Sequence, residues 1–257
     1  MNTKFFEGIV QHEFNSPDGK FKGKIPVFYY DNTSMTAIYT ASTSKVRRFL
    51  PHHKMRPVEV FPGRCLIGFS AFEYRKTDID PYNEFSISII ITFEKTSIPG
   101  ISILNQMLKR TFTAYIWHLP VTTEIARYGG VELYGYPKFI ADIKFKNHPD
   151  ALECTLSEKG KHILTLKGKK LSVKQGKIMK FRTYSIKNGI PLVANIYTNP
   201  VKYAESMKKD TATLTIGSEH EICKELHEIE LSKNPLFYQF IPENQVILFP
   251  PKNLMDD

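Results

Sequence analysis

Cysteine is scarce in this 257-residue chain: Cys65, Cys154 and Cys223 stand far apart and form no C-x-x-C pair. That spacing excludes a disulfide framework and a cysteine-based zinc motif. Isolated thiols suit a reducing, cytoplasmic location. Long hydrophobic runs are also missing. The longest, from Ile87 to Ile91, is interrupted by Ser88 and is far too short to cross a bilayer, so no membrane is expected as a partner. The opening stretch MNTKFFEGIVQHEF carries an acid and lacks the apolar centre of a signal peptide. No repeat, low-complexity tract or Gly/Ser linker divides the chain. The expectation is therefore a single domain over residues 1–257, long enough to bury a sizeable core. Three common catalytic solutions are absent as well: there is no G-x-S-x-G elbow, no P-loop and no H-E-x-x-H. No spacing of His, Cys, Asp and Glu suggests a metal.

Positive charge is in excess, with 35 Lys and Arg against 26 Asp and Glu, a net of +9. Nucleic-acid binding needs such charge gathered on one face, with a recognisable motif. The densest stretch, SEKGKHILTLKGKKLSVKQGKIMK, instead alternates like hairpin strands with solvated lysines, and Gly160 and Gly168 read as its turns. No nucleic acid is expected. Attraction of anionic small molecules remains compatible with the charge.

Strand patterns dominate. NEFSISIIITF places Phe85, Ile87, Ile89, Ile91 and Phe93 on one face, with Glu84, Ser86, Ser88 and Ile90 on the other. Further strands are expected within 36–40, 64–74, 152–156, 163–167, 179–186, 192–198, 211–216 and 245–249. So many short strands predict a β-rich α+β protein, a barrel or highly curved antiparallel sheet with a few covering helices. Those helices are read in STSKVRRFLP, in ISILNQMLKRTF and in PVTTEIARYGG, the last capped by Thr122 or Thr123 and ended by Gly129. A fourth, SEHEICKELHEI, opens with Ser218 and Glu221 as a capping box and carries an apolar stripe of Ile222, Leu226 and Ile229. His52 and His53 follow Pro51 in a polar loop, and His118 reads as a satisfied histidine or a group near a site.

One lysine stands out. In VELYGYPKFIADIKF, Lys138 follows a proline at the start of a strand-like alternation. Phe139, Ala141, Ile143 and Phe145 share one face; Lys138, Ile140, Asp142 and Lys144 share the other. Alternation alone does not decide whether that second face is wet or enclosed. GGVELYGYPKF, however, resembles the lysine motif of the acetoacetate decarboxylase family, and the similarity extends through HLPVTTEIARYGG upstream and FIADIKF downstream.

That resemblance implies a cone-shaped fold over most of the chain, from about Gly23 to Pro250, and a homo-oligomer. It also implies a lysine that forms a Schiff base with a keto acid or ketone, with no metal or organic cofactor. The residue carried over is Lys138. A free lysine, pKa about 10.4, is neutral in only roughly one molecule in a few thousand at pH 7, so the chemistry asks for burial or a nearby cation. Glu84 matches a family glutamate that positions substrate or moves a proton. Tyr136 matches the tyrosine of Tyr-Pro-Lys and packs the site wall. Glu132 matches the glutamate before the motif, or is a structural residue at the YGG turn. The second family glutamate aligns with Ser70, with Glu73 three residues away. Two further differences bear on the reaction. Phe139 stands where true decarboxylases carry a second lysine, and KIPVFYYDNTSMTAIYTA holds no arginine for a substrate carboxylate, the aligned residue being Asn32. Arg64 either reaches the cavity from its strand or lies at the surface. The implied activity is decarboxylation of a β-keto acid through a lysine iminium. Aldolase or dehydratase chemistry with the same lysine, or a non-catalytic binding protein of this fold, are the alternatives.

Overall fold

The computed structural model describes residues 3–16, 19 and 22–255. Two short strands, β1 (His12–Asn15) and β2 (Lys22–Ile25), precede the long β3 (Val27–Ser42), which runs into a single helical turn, α1 (Thr43–Val46). The short β4 (Met55–Pro57) and β5 (Glu59–Phe61) lead to β6 (Arg64–Thr77) and β7 (Tyr82–Phe93). Next come α2 (Ile101–Leu108), β8 (Thr111–His118) and α3 (Glu124–Tyr134). The chain continues through β9 (Asp142–Asn147), β10 (Ala151–Glu158), β11 (Lys161–Lys169), β12 (Met179–Lys187) and β13 (Ile190–Ser206). It closes with β14 (Ala212–Ile216), α4 (Glu221–Glu228), β15 (Phe237–Leu248) and β16 (Lys252–Asn253).

Seven strands close into a barrel in the order β7-β8-β12-β13-β15-β3-β6, with β6 pairing back to β7. The β-rich barrel expected from the many short strands is present. One pair, β8 with β12, is parallel; the other six barrel pairings are antiparallel. A second sheet, β14-β11-β10-β9, lies against the outside of the barrel. The largest apolar core fills the space between them. Met35, Ala37, Phe69, Ile87 and Ile89 from the outer barrel face meet Leu156, Leu164 and Leu166 of the second sheet and Leu226 of α4. Truncating one of the larger fully buried aliphatic chains to Ala costs about 2–5 kcal/mol. With this face outward, the opposite face of β3, β6 and β7 lines the lumen.

Several local expectations are corrected. Gly168 is no turn: it lies inside β11, where a Cβ would overlap the Tyr238 ring. Gly160, with φ of 78°, does make the β10–β11 turn. The helix expected through Phe112 stops at Leu108, because the next residues join the barrel as β8. Helix α4 is capped by His220, whose side chain accepts from the N–H of Ile222, and not by Ser218. Among the described residues no helix is long and apolar enough to cross a membrane.

Candidate active site

Lys138 owes its place to three backbone devices. Helix α3 runs past Gly129, the expected stop, to Tyr134. It ends at Gly135, whose φ of 61° is the left-handed geometry that glycine tolerates best. The N–H of Lys138 then donates to the carbonyl of Tyr136 at 2.8 Å, a three-residue turn centred on Pro137, whose fixed φ suits it. Finally the lysine segment pairs with residues 119–121: Val121 N–H donates to Phe139 O at 2.9 Å and Ala141 N–H to Val121 O at 3.0 Å. Val121 also bridges to Glu84, and Phe85 N–H donates to Pro120 O at 3.0 Å. One short linker thus ties Glu84 and Lys138 side by side.

The expected strand from Lys138 onward therefore begins only at Asp142. The face assignment still divides as the alternation suggested, with one refinement. Ala141 and Ile143 are buried in the main core, whereas Ile140, Asp142 and Lys144 emerge at the surface. Lys138 alone on its face is enclosed, because α3 lies over it. Gly130 of α3 touches the lysine stem so closely that a Cβ there would overlap Lys138 Cδ and Cε. The remaining space beside the stem is a cavity of about 20 Å³, enough for one water.

The amine ends in an ion pair. Lys138 Nζ donates to Glu84 Oε2 at 2.6 Å, and the two side chains are only 6% and 9% exposed. Tyr74 Oη donates to Glu84 Oε1 at 3.3 Å. The Tyr82 ring lies 5.6 Å from Nζ, within range of a cation–π contact. The Tyr29 and Tyr82 hydroxyls are 3.2 Å apart. Strand register explains this grouping. Tyr74 lies opposite Tyr82, Phe72 opposite Glu84 and Ser70 opposite Ser86, so all six side chains face the lumen in successive rows. Burial, joined by the negative charge of Glu84, pushes the Tyr29, Tyr74 and Tyr82 phenols well above their ordinary values and keeps them neutral. Burial also raises Tyr136, against a hydrogen bond from Thr183 and with Glu84 adding to the rise.

The other sequence candidates scatter. Tyr136 is buried beside Lys138, its hydroxyl 2.6 Å from Thr183 Oγ1 on β12 and its ring stacked on Tyr134. Ser70 lies in the lumen and exchanges a 2.8 Å hydrogen bond with Thr36. Asn32 is fully buried, its amide paired with Asn244. Arg64 sits at the other end of β6 and donates to Thr40 O and Oγ1, both at 3.0 Å. Phe72 lies eight residue steps further along, about 26 Å of strand, so Arg64 does not reach Lys138. Glu132 and Glu73 lie half-exposed near Lys187 and Arg75 respectively. His118, on the outside of the barrel, is 2.7 Å from Glu225 of α4. Among the described residues no group of three or more His, Cys, Asp or Glu is placed to hold a metal ion. Tyr29, Tyr74, Tyr82 and Gly130 were missed by the sequence reading. Alternation from Glu84 signals Tyr82, and pairing of the two strands then signals Tyr74; nothing local signals Tyr29.

Solved structures share this fold at low identity. One is an acetoacetate decarboxylase, 15% identical over 89% of each chain with a TM-score of 0.61. Another, acetoacetate decarboxylase from Legionella pneumophila, is 11% identical, covering 89% of this chain and 87% of that one at a TM-score of 0.62. The enduracididine biosynthesis enzyme MppR, complexed with pyruvate, is 12% identical over 96% and 98% of the two chains at a TM-score of 0.60. No curated protein matches the chain. Residues 15–235 match the acetoacetate decarboxylase (ADC) family, and the chain belongs to that family.

Proposed function

We propose that this protein is a Schiff-base-forming lyase in which Lys138 attacks the carbonyl of a small-molecule substrate. The observation that carries the reading is the enclosed 2.6 Å pair of Lys138 and Glu84. Passing the shared proton to Glu84 gives a neutral amine and a neutral acid, which removes both charges from a site that solvates them poorly. The free amine adds to the carbonyl carbon. The carbonyl oxygen leaves as water, taking the proton held by Glu84 and one from nitrogen, and the iminium remains beside the restored carboxylate. That cation draws electrons from the adjacent C–C or C–H bond, the work of an electron sink. Glu84 is placed to take or return a proton there, and the Tyr82 ring faces the cation. Decarboxylation of a β-keto acid and aldol or dehydratase chemistry share these steps and diverge only at the bond that breaks.

Incubation with a panel of ketones and keto acids plus borohydride, followed by digestion and mass spectrometry, tests the reading. An adduct on Lys138, lost in Lys138→Met, is the expected result. No adduct from any carbonyl compound would instead favour a binding protein.

A single domain is supported by the core that barrel and second sheet share. A cytoplasmic location fits the three buried free thiols. A homo-oligomer is supported by α2, which is built inside out. Its buried residue is Gln106, whose amide bonds Ile91 O and Thr113 N–H, while Ile101, Leu104, Met107 and Leu108 are all more than half exposed. Residues 96–108 carry no charge in a chain of net +9, so two copies can meet there without repulsion.

A further inference from the structure

We infer that the Lys138 site takes an uncharged ketone or aldehyde, and disfavours a substrate that carries a carboxylate. The inference deepens the Schiff-base reading and rests on it. Its basis is the charge balance of the enclosed lumen. Lys138 and Glu84 already neutralise each other at 2.6 Å. Around them the rows of β3, β6 and β7 present neutral groups: Tyr74 and Tyr82, then Ser34 and Phe72, then Thr36, Ser70 and Ser86.

Asn32, opposite Tyr74, and its neighbours Asn244 and Thr198 are committed to one another. Asn32 Nδ2 donates to Asn244 O at 3.1 Å, Asn244 Nδ2 to Asn32 Oδ1 at 3.2 Å, and Thr198 Oγ1 to Asn244 Oδ1 at 2.7 Å. Arg64, on the lumen face of β6, is spent on Thr40 at the far end. An incoming carboxylate would meet the Glu84 charge, and the phenols of Tyr74 and Tyr82, kept neutral by burial and by that charge, bring no positive charge to offset it. A desolvated anion without a partner is strongly disfavoured.

The reaction steps keep the same balance. A protonated Lys138 plus a neutral ketone gives an iminium plus water, with charge +1 on each side, and Glu84 supplies −1 throughout. Removal of a Cα proton by Glu84 then yields a neutral enamine and a neutral acid. A neutral substrate leaves the site at zero net charge at every stage; a carboxylate would hold it at −1. The chemistry that follows is C–C bond making or breaking of the aldol kind, or loss of water.

Acetoacetate and its methyl ester differ in the charged group but present the same ketone. Each is titrated against the full-length protein with cyanoborohydride, and the adduct on Lys138 is quantified by mass spectrometry. The ester is expected to half-saturate labelling at a concentration at least tenfold lower than the acid. Equal or better labelling by acetoacetate, or release of carbon dioxide from it at a rate that Lys138→Met abolishes, overturns the neutral-substrate inference and leaves the Schiff-base reading standing. Absence of any adduct from either compound, or from acetone, overturns the Schiff-base reading and this inference with it.

Discussion

Removing one partner of the Lys138–Glu84 pair tests whether the lysine is enclosed. Both side chains are more than nine-tenths buried, so Glu84→Gln strands an ammonium away from water. Breaking a buried pair in this way costs about 3–5 kcal/mol. Removing both charges, as Lys138→Met with Glu84→Gln, leaves no stranded ion and is expected to cost less than Glu84→Gln alone. The molecule supplies its own control. Lys54 and Glu94 lie at the same 2.6 Å but are 39% and 58% exposed, and Glu94→Gln is expected to leave stability unchanged within error. Equilibrium denaturation in urea at pH 7, followed by circular dichroism, compares the four proteins. A Glu84→Gln variant as stable as Glu94→Gln would refute the enclosure, because it would mean water reaches the amine.

Gly130→Ala puts a methyl where the Lys138 stem lies. Adduct formation at Lys138 is expected to fall at least tenfold while stability changes by no more than about 1–3 kcal/mol; unchanged trapping would show that the stem has room to move. Alkali is expected to unfold the protein steeply. The phenols of Tyr29, Tyr74, Tyr82 and Tyr136 are all raised by burial, so the unfolded state gives up its protons first. Their contribution is complete below pH about 10 and is lost above it, at about 1.4 kcal/mol per tyrosine per pH unit; phenolate absorbance that reaches the amplitude of all 13 tyrosines ahead of unfolding would contradict this. Leu104→Glu with Leu108→Glu on α2 is expected to shift sedimentation to a smaller species with an unchanged circular dichroism spectrum. A wild-type protein that is already monomeric would remove the case for that interface.

Much of the barrel was legible because side-chain alternation in β6 and β7 is regular and one face is almost wholly apolar, whereas β3, with register shifts between Tyr29 and Asn32, was read only over 36–40. What alternation cannot express is closure. Ser70, Ser86 and Ser88 read the same on a wet face as in a lumen, and only the β6–β7 pairing that completes the ring separates the two. Glycine misled for a related reason. Gly129 and Gly130 look like a helix stop, yet Gly130 sits within α3 because the lysine stem passes against it. The capping-box pattern at Ser218 lost to His220, whose ring nitrogen lies 3.2 Å from the Ile222 N–H. Lys138 and Glu84 were singled out through the family motif and through alternation, and their contact depends on residues 119–121, which carry no signal of their own. The tyrosines were half legible: Tyr82 by parity, Tyr29 only through a strand pairing more than forty residues away.

The most direct test of Lys138 as a carbonyl nucleophile is oxygen exchange. Each cycle of iminium formation and hydrolysis replaces the carbonyl oxygen with one from water, whatever bond would break later. Acetone labelled with heavy oxygen is incubated with wild-type protein, with Lys138→Met and with buffer, and the remaining label is followed by mass spectrometry. Loss of label well above the buffer rate with wild type, reduced to the buffer rate in Lys138→Met, is the predicted result. Equal loss in wild type and Lys138→Met would contradict it and leave the enclosed amine a structural ion pair.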